Sequence, residues 1–141
     1  MKKYYSKVLT GLLGLLLLLS FKTMITNHIQ TKAQQEKKNI VVYFSGSDWC
    51  SVCHKFKKSF LAQSKVDSLL NNHYVYYVAD FPQRSKQDKE TVTLNETLAE
   101  KLNPEGVFPL LVIADADLKI KEKITAKTPV EVAEKHLESH K

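Results

Sequence analysis

The chain has two cysteines and no more, Cys50 and Cys53. A pair so close makes a poor structural staple, because loop-closure stabilisation grows with loop length. Methionine is scarce: Met1 and Met24 both lie in the N-terminal region. The rest of the chain therefore offers no methionine as an axial haem ligand. No cysteine stands at the end of the leucine-rich run Leu12–Leu19, which excludes a lipoprotein anchor. A clustered basic face is missing as well. The net charge is +6, but Lys2, Lys3, Lys7 and Lys22 hold four of the 21 basic residues. That leaves 17 against 15 acids, which is no electrostatic footprint for nucleic acid. There is no internal repeat and no low-complexity tract.

The N-terminus has the pattern of a targeting segment. Lys2, Lys3 and Lys7 form a positive region, and Val8 to Phe21 is almost wholly apolar. That run is short for a membrane span of about 20 residues and sufficient for a signal core of about 7–15. Thr31-Lys32-Ala33 has the small residues of a cleavage site but lies far beyond the apolar run. Cleavage and a retained anchor both stay open. Residues 1–35 are thus read as a signal peptide or membrane anchor with its linker, and residues 36–141 as one small domain. Either way the cysteines face an oxidising compartment, the periplasm or cell envelope.

What stands there is Trp49-Cys50-Ser51-Val52-Cys53. The apolar run Ile40 to Ser45 before it predicts a buried strand, and a helical pattern follows. A Cys-x-x-Cys pair at a strand-to-helix junction is a redox arrangement. Helix positions i and i+3 are close enough for a small adjustment to bring two sulfurs into bonding range. The first cysteine sits at the helix N-terminus, where unpaired N–H groups favour a thiolate. Cys50 is therefore the expected attacking sulfur, and Cys53, one turn in, the resolving one.

Beyond the pair the periodicity alternates. Val52, Phe56 and Phe60 predict an inward helical stripe, with Lys55, Lys57 and Lys58 on the wet side. Ser64-Lys65-Val66-Asp67 predicts a cap for a further helix. Tyr74 to Ala79 predicts a strand, Phe81 to Glu90 a loop, and Thr93-Leu94-Asn95-Glu96 a capped helix with Leu94, Leu98 and Leu102 on one face. Phe108 to Ala114 predicts a central strand. Leu118, Ile120 and Ile124 predict an outer strand antiparallel to it. Thr128-Pro129-Val130-Glu131 predicts a last helix with proline at its first position and Val130, Ala133 and Leu137 inward. Lys32 to Asn39 is a linker or an extra leading helix. His73, His136 and His140 are read as surface residues. The fold class is α/β, a mixed four-stranded sheet flanked by helices.

With these residues in view, Ile40 to His140 resembles the thioredoxin-like superfamily. The likeness rests on the Cys motif with its Phe44-Ser45-Gly46-Ser47-Asp48-Trp49 lead-in, on Asp80-Phe81-Pro82, on the order of elements, and on Gly106-Val107-Phe108-Pro109. It is similar to exported bacterial thiol-disulfide oxidoreductases. The resemblance implies a thioredoxin-like fold, a cis-proline at Pro109 beside the cysteines, and a substrate groove lined by Trp49, Phe108 and Pro109. It implies protein disulfides or dithiols as substrates, no cofactor, a monomer, and a membrane-borne electron donor or acceptor as one source of the redox equivalents. Two departures stand out. Ile40 to Ser45 holds no acid, with Tyr43 at the place of the family's buried aspartate. Ser51-Val52 matches neither the thioredoxin nor the strong-oxidase dipeptide, so redox direction stays open.

His54 supports an alternative. Cys50-Ser51-Val52-Cys53-His54 satisfies the pattern for covalent haem attachment. A metal-binding module using Cys50, Cys53 and His54 is its variant, one ligand short of the usual structural zinc set. The strand-to-helix junction and the β-rich second half count against both.

Overall fold

A strand buried on both faces needs elements packed on either side, and β1 (Asn39–Ser45) is that strand. Ile40 to Phe44 are at most 2% exposed. The computed structural model describes residues 28–141. The predicted leader falls outside those residues, apart from its last eight positions. β1 pairs in parallel with β2 (Tyr74–Asp80) and antiparallel with β3 (Leu110–Ala114). β4 (Ile120–Thr125) runs antiparallel to β3, so the sheet is mixed and ordered β2-β1-β3-β4.

Strand alternation sorts β1 into two cores. Val41 and Tyr43 join Leu111, Ile113 and Ile124 on one face. That face is covered by α2 (Ser51–Phe56), α3 (Ser64–His73) and α5 (Val130–Ser139), through Phe56, Phe60, Leu70, Ala133 and Leu137. Ile40, Val42 and Phe44 join Val75, Leu110 and Val112 on the other. There the cover is α1 (residues 28–36) and α4 (Lys89–Leu102), through Ile29, Ala33, Leu98 and Leu102. The polar stretch before β1 is thus helix up to Glu36 rather than linker. Ala33 is buried at 1% exposure, and Lys37, at φ 53°, turns the chain into β1.

Several local expectations are corrected. Val52 is 48% exposed, and the inward stripe runs through Cys53, Phe56, Phe60 and Leu61 instead. The helix widens after Phe56 into a π-helical stretch, Lys57–Leu61, where the Ala62 N–H reaches back to the Lys57 carbonyl. That wider turn lets Phe60 and Leu61 both face the core. α4 starts at Lys89, ahead of the expected Thr93 cap, because Asp88 caps the Thr91 N–H at 2.8 Å. The Thr93 hydroxyl bonds back to the Lys89 carbonyl and caps nothing. Ser64 does not cap α3 either: Gln63 holds that place without a side-chain capping bond. Pro129 is the N-cap of α5, and Thr128 instead accepts the Thr125 N–H to close the preceding turn. Val130 is consequently exposed. Leu118 is not in β4. It takes φ 62° in a turn organised by Asp115, whose carboxylate accepts the N–H groups of Asp117 and Lys119. Ile120 is exposed, and Ile124 alone of the expected alternation in β4 is fully buried.

Candidate active site

β1 delivers the chain to the rim of the sheet, and Gly46 starts the turn into α2. The Cys50 N–H donates to the Gly46 carbonyl at 2.9 Å, so Cys50 becomes the N-cap of α2. Its sulfur accepts the Cys53 N–H at 3.1 Å, in the manner of a capping oxygen. Cys50 and Cys53 form a disulfide with their Cα atoms 5.2 Å apart. Cys50 is 7% exposed and Cys53 is 1% exposed. Both cysteines are buried, the second more completely than the first.

An aromatic group forms around Trp49, the residue before Cys50. Trp49 is 39% exposed, and its indole N–H donates to the Phe81 carbonyl at 2.7 Å. Phe108 meets Trp49 edge-on at 5.5 Å and Phe81 at 5.6 Å between ring centroids. The Phe108–Pro109 peptide bond is cis. The loop before it is tied down by buried Asn103, whose side chain accepts the Val107 N–H and donates to the Val107 carbonyl, both at 2.9 Å. Gly106, at φ 63°, makes the tight turn between them.

Two carboxylates fasten this rim to the β2–α4 loop. Asp80 accepts both the N–H and the hydroxyl of Ser47. Asp48 accepts the backbone N–H groups of Gln83, Arg84 and Ser85 at 2.8, 2.7 and 3.0 Å. The Gln83 N–H, with those of Arg84 and Ser85, holds the Asp48 carboxyl below the usual carboxylate range. Sequence reasoning missed Phe81, Asp48 and Asn103 as site-shaping residues. Asp80-Phe81-Pro82 was visible as a resemblance, but the reach of Asp48 into a polar loop leaves no local signature.

On the other face of the pair lies a cleft of about 740 Å³, lined among others by Tyr43, Cys53, His54, Lys57, Tyr76 and Asp80. Tyr43 does stand beside Cys53, but its hydroxyl donates to the Cys53 carbonyl at 3.1 Å. Burial pushes the Tyr43 phenol up, so it stays protonated at neutral pH and is no proton acceptor. His54 Nε2 lies 2.7 Å from the Ser47 carbonyl. With both sulfurs bonded to each other and His54 held by Ser47, the donor set of the haem or metal alternative is not assembled.

The model of the thioredoxin-like domain family matches residues 26–141. The chain belongs to that family. It is 34% identical over 87 residues to the disulfide bond reductase DsbH of Chlamydia pneumoniae, a match covering 62% of this chain. It spans about half the length of that curated relative, 52%. Among solved structures it is similar to a DsbH oxidoreductase, with TM-score 0.70, 27% identity, and 79% of this chain and 77% of that one covered. The oxidised C-terminal domain of Neisseria meningitidis DsbD shares the fold at TM-score 0.55 and 18% identity, over 84% of this chain and 95% of that domain. Among the described residues no helix is long and apolar enough to cross a membrane.

Proposed function

We propose that this thioredoxin-like chain is an exported thiol-disulfide oxidoreductase that reduces protein disulfides as a monomer. The observation that carries the reading is the Cys50–Cys53 disulfide itself, with the first sulfur capping the helix and the second one turn inside it. In the dithiol form the Cys50 thiolate attacks a substrate disulfide. One substrate sulfur leaves as a thiolate, and a mixed disulfide forms on Cys50. Cys53 loses its proton and attacks the Cys50 sulfur. The second substrate sulfur leaves, the Cys50–Cys53 bond closes, and two electrons have passed to the substrate. A dithiol donor in the same compartment, membrane-borne or soluble, reverses these steps and resets the pair. Trp49 and the Phe108 backbone beside Pro109 present an apolar wall and an open edge to an extended substrate segment.

The reducing direction rests on similarity to a protein named as a disulfide bond reductase. Equilibration of the pair against glutathione buffers is expected to give a potential below about −200 mV, on the reducing side of the range from thioredoxin to the strong oxidases. A value near −120 mV, the oxidase end of about the same scale, would reverse the assignment. Export rests on Lys2, Lys3, Lys7 and the apolar run after them. A reporter active only outside the cytoplasm, fused after Lys141, is expected to work in intact cells; a silent but intact fusion defeats the placement. Cleavage, if it occurs, is expected before residue 28, since a cut at Ala33 removes Ile29 from the core.

A further inference from the structure

Away from the cysteines, at the other end of the sheet, three potential ligands converge. Glu122 lies on β4 level with Ile113, which is itself level with Val41 near the start of β1. His136 lies in the last turn of α5 and His140 is its C-cap. His136 Nδ1 is 3.3 Å from Glu122 Oε1, and His140 Nε2 is 3.9 Å from the same oxygen. The donor atoms all lie within 4.8 Å of one another.

We propose that Glu122, His136 and His140 bind a divalent transition-metal ion, zinc or its neighbours copper and nickel, as a clamp between α5 and β4. A tetrahedral zinc with bonds of about 2.0–2.1 Å places its ligands about 3.3 Å apart. The Glu122–His136 distance already matches that edge, and the remaining gap closes by rotation of side chains that are about one-third exposed. Two imidazoles and one carboxylate suit these ions, and the exposure leaves room for water in the fourth position. The backbone is held ready on each side. Asn39 donates to the His140 carbonyl at 2.6 Å and accepts from Lys121, the neighbour of Glu122, at 2.9 Å. Leu137, beside His136, is fully buried, and its carbonyl accepts the Tyr74 hydroxyl. Lys121 is engaged by Asn39 and does not occupy the carboxylate. The site shares no residue with the redox pair.

The test is calorimetric titration of zinc chloride into the untagged full chain at pH 7.5, with the Cys50–Cys53 disulfide intact so that no thiolate competes. One ion per chain is expected. Affinity should fall at least about tenfold in His136→Ala and in the isosteric Glu122→Gln, and stay unchanged in His54→Ala. Zinc should raise the melting temperature of the parent chain and leave that of His136→Ala where it was. Absence of binding, or binding that survives His136→Ala with His140→Ala, overturns the proposal. So does binding lost in His54→Ala.

Discussion

Cys50→Ser is expected to abolish disulfide exchange, lowering the rate by about a thousandfold or more, because no other thiol can take its place at the rim. Cys53→Ser should also stop turnover, yet differently. Its Cys50 thiolate can still attack, but nothing resolves the mixed disulfide, so the adduct accumulates. Incubation of each variant with a peptide disulfide, followed by mass spectrometry without reductant, separates the two cases. An adduct on Cys53 in the Cys50→Ser chain would reverse the roles. The asymmetry expected here follows from the N-cap: Cys50 stands at the start of the helix, while Cys53 is one turn in and 1% exposed. Alkylation of the reduced parent chain at mildly acidic pH should mark the same sulfur first.

Much of this arrangement was legible because it is periodic or adjacent in the chain. A run such as Ile40 to Phe44 is apolar at every position, as a strand covered on both faces requires. The cysteine pair declared itself by spacing. What escaped was of two kinds. Helix starts were misplaced wherever a threonine or serine three residues before an acid imitated a capping box. Thr93 lost that role to Asp88, which lies ahead of the apolar periodicity and so carries no hydrophobic marker. Val52 looked apolar enough to be core, yet the N-cap geometry of Cys50 spends the inward direction on Cys53.

The second kind was contact between segments distant in the chain. His136 and His140 are four residues apart, a spacing any reading can see, but Glu122 joins them only once β4 is laid beside α5. Asp48 is likewise an ordinary turn aspartate until the 83–85 backbone folds over it. The substitution of Tyr43 for an acid was visible from the start; its consequence was not. The hydroxyl is committed to the Cys53 carbonyl, so the proton leaving Cys53 has no carboxylate on β1 to receive it. Cys53 instead lines a cleft together with His54 and Asp80.

Gly46→Ala is expected to disable the rim while leaving the fold intact. A Cβ at this position would lie 2.3 Å from Trp49 Cε2 and 2.5 Å from Nε1, well inside van der Waals contact. The backbone cannot retreat freely, because the Gly46 carbonyl holds the Cys50 N–H and β1 ends just before it. The indole must therefore swing away. It then forfeits its bond to the Phe81 carbonyl, worth about 0.5–1.5 kcal/mol, and its edge contact with Phe108, worth about as much. Trp49 is the chain's single tryptophan, so a red shift of its emission reports the move directly. Exchange with a peptide disulfide should slow by about tenfold, the loss that about 1.4 kcal/mol of positioning produces. Trp49→Phe keeps a ring against Phe108 but drops the N–H donor, and its rate should fall between the two. If Gly46→Ala keeps both the emission and the rate of the parent chain, the close approach of glycine and indole is not what positions Trp49 against Phe108.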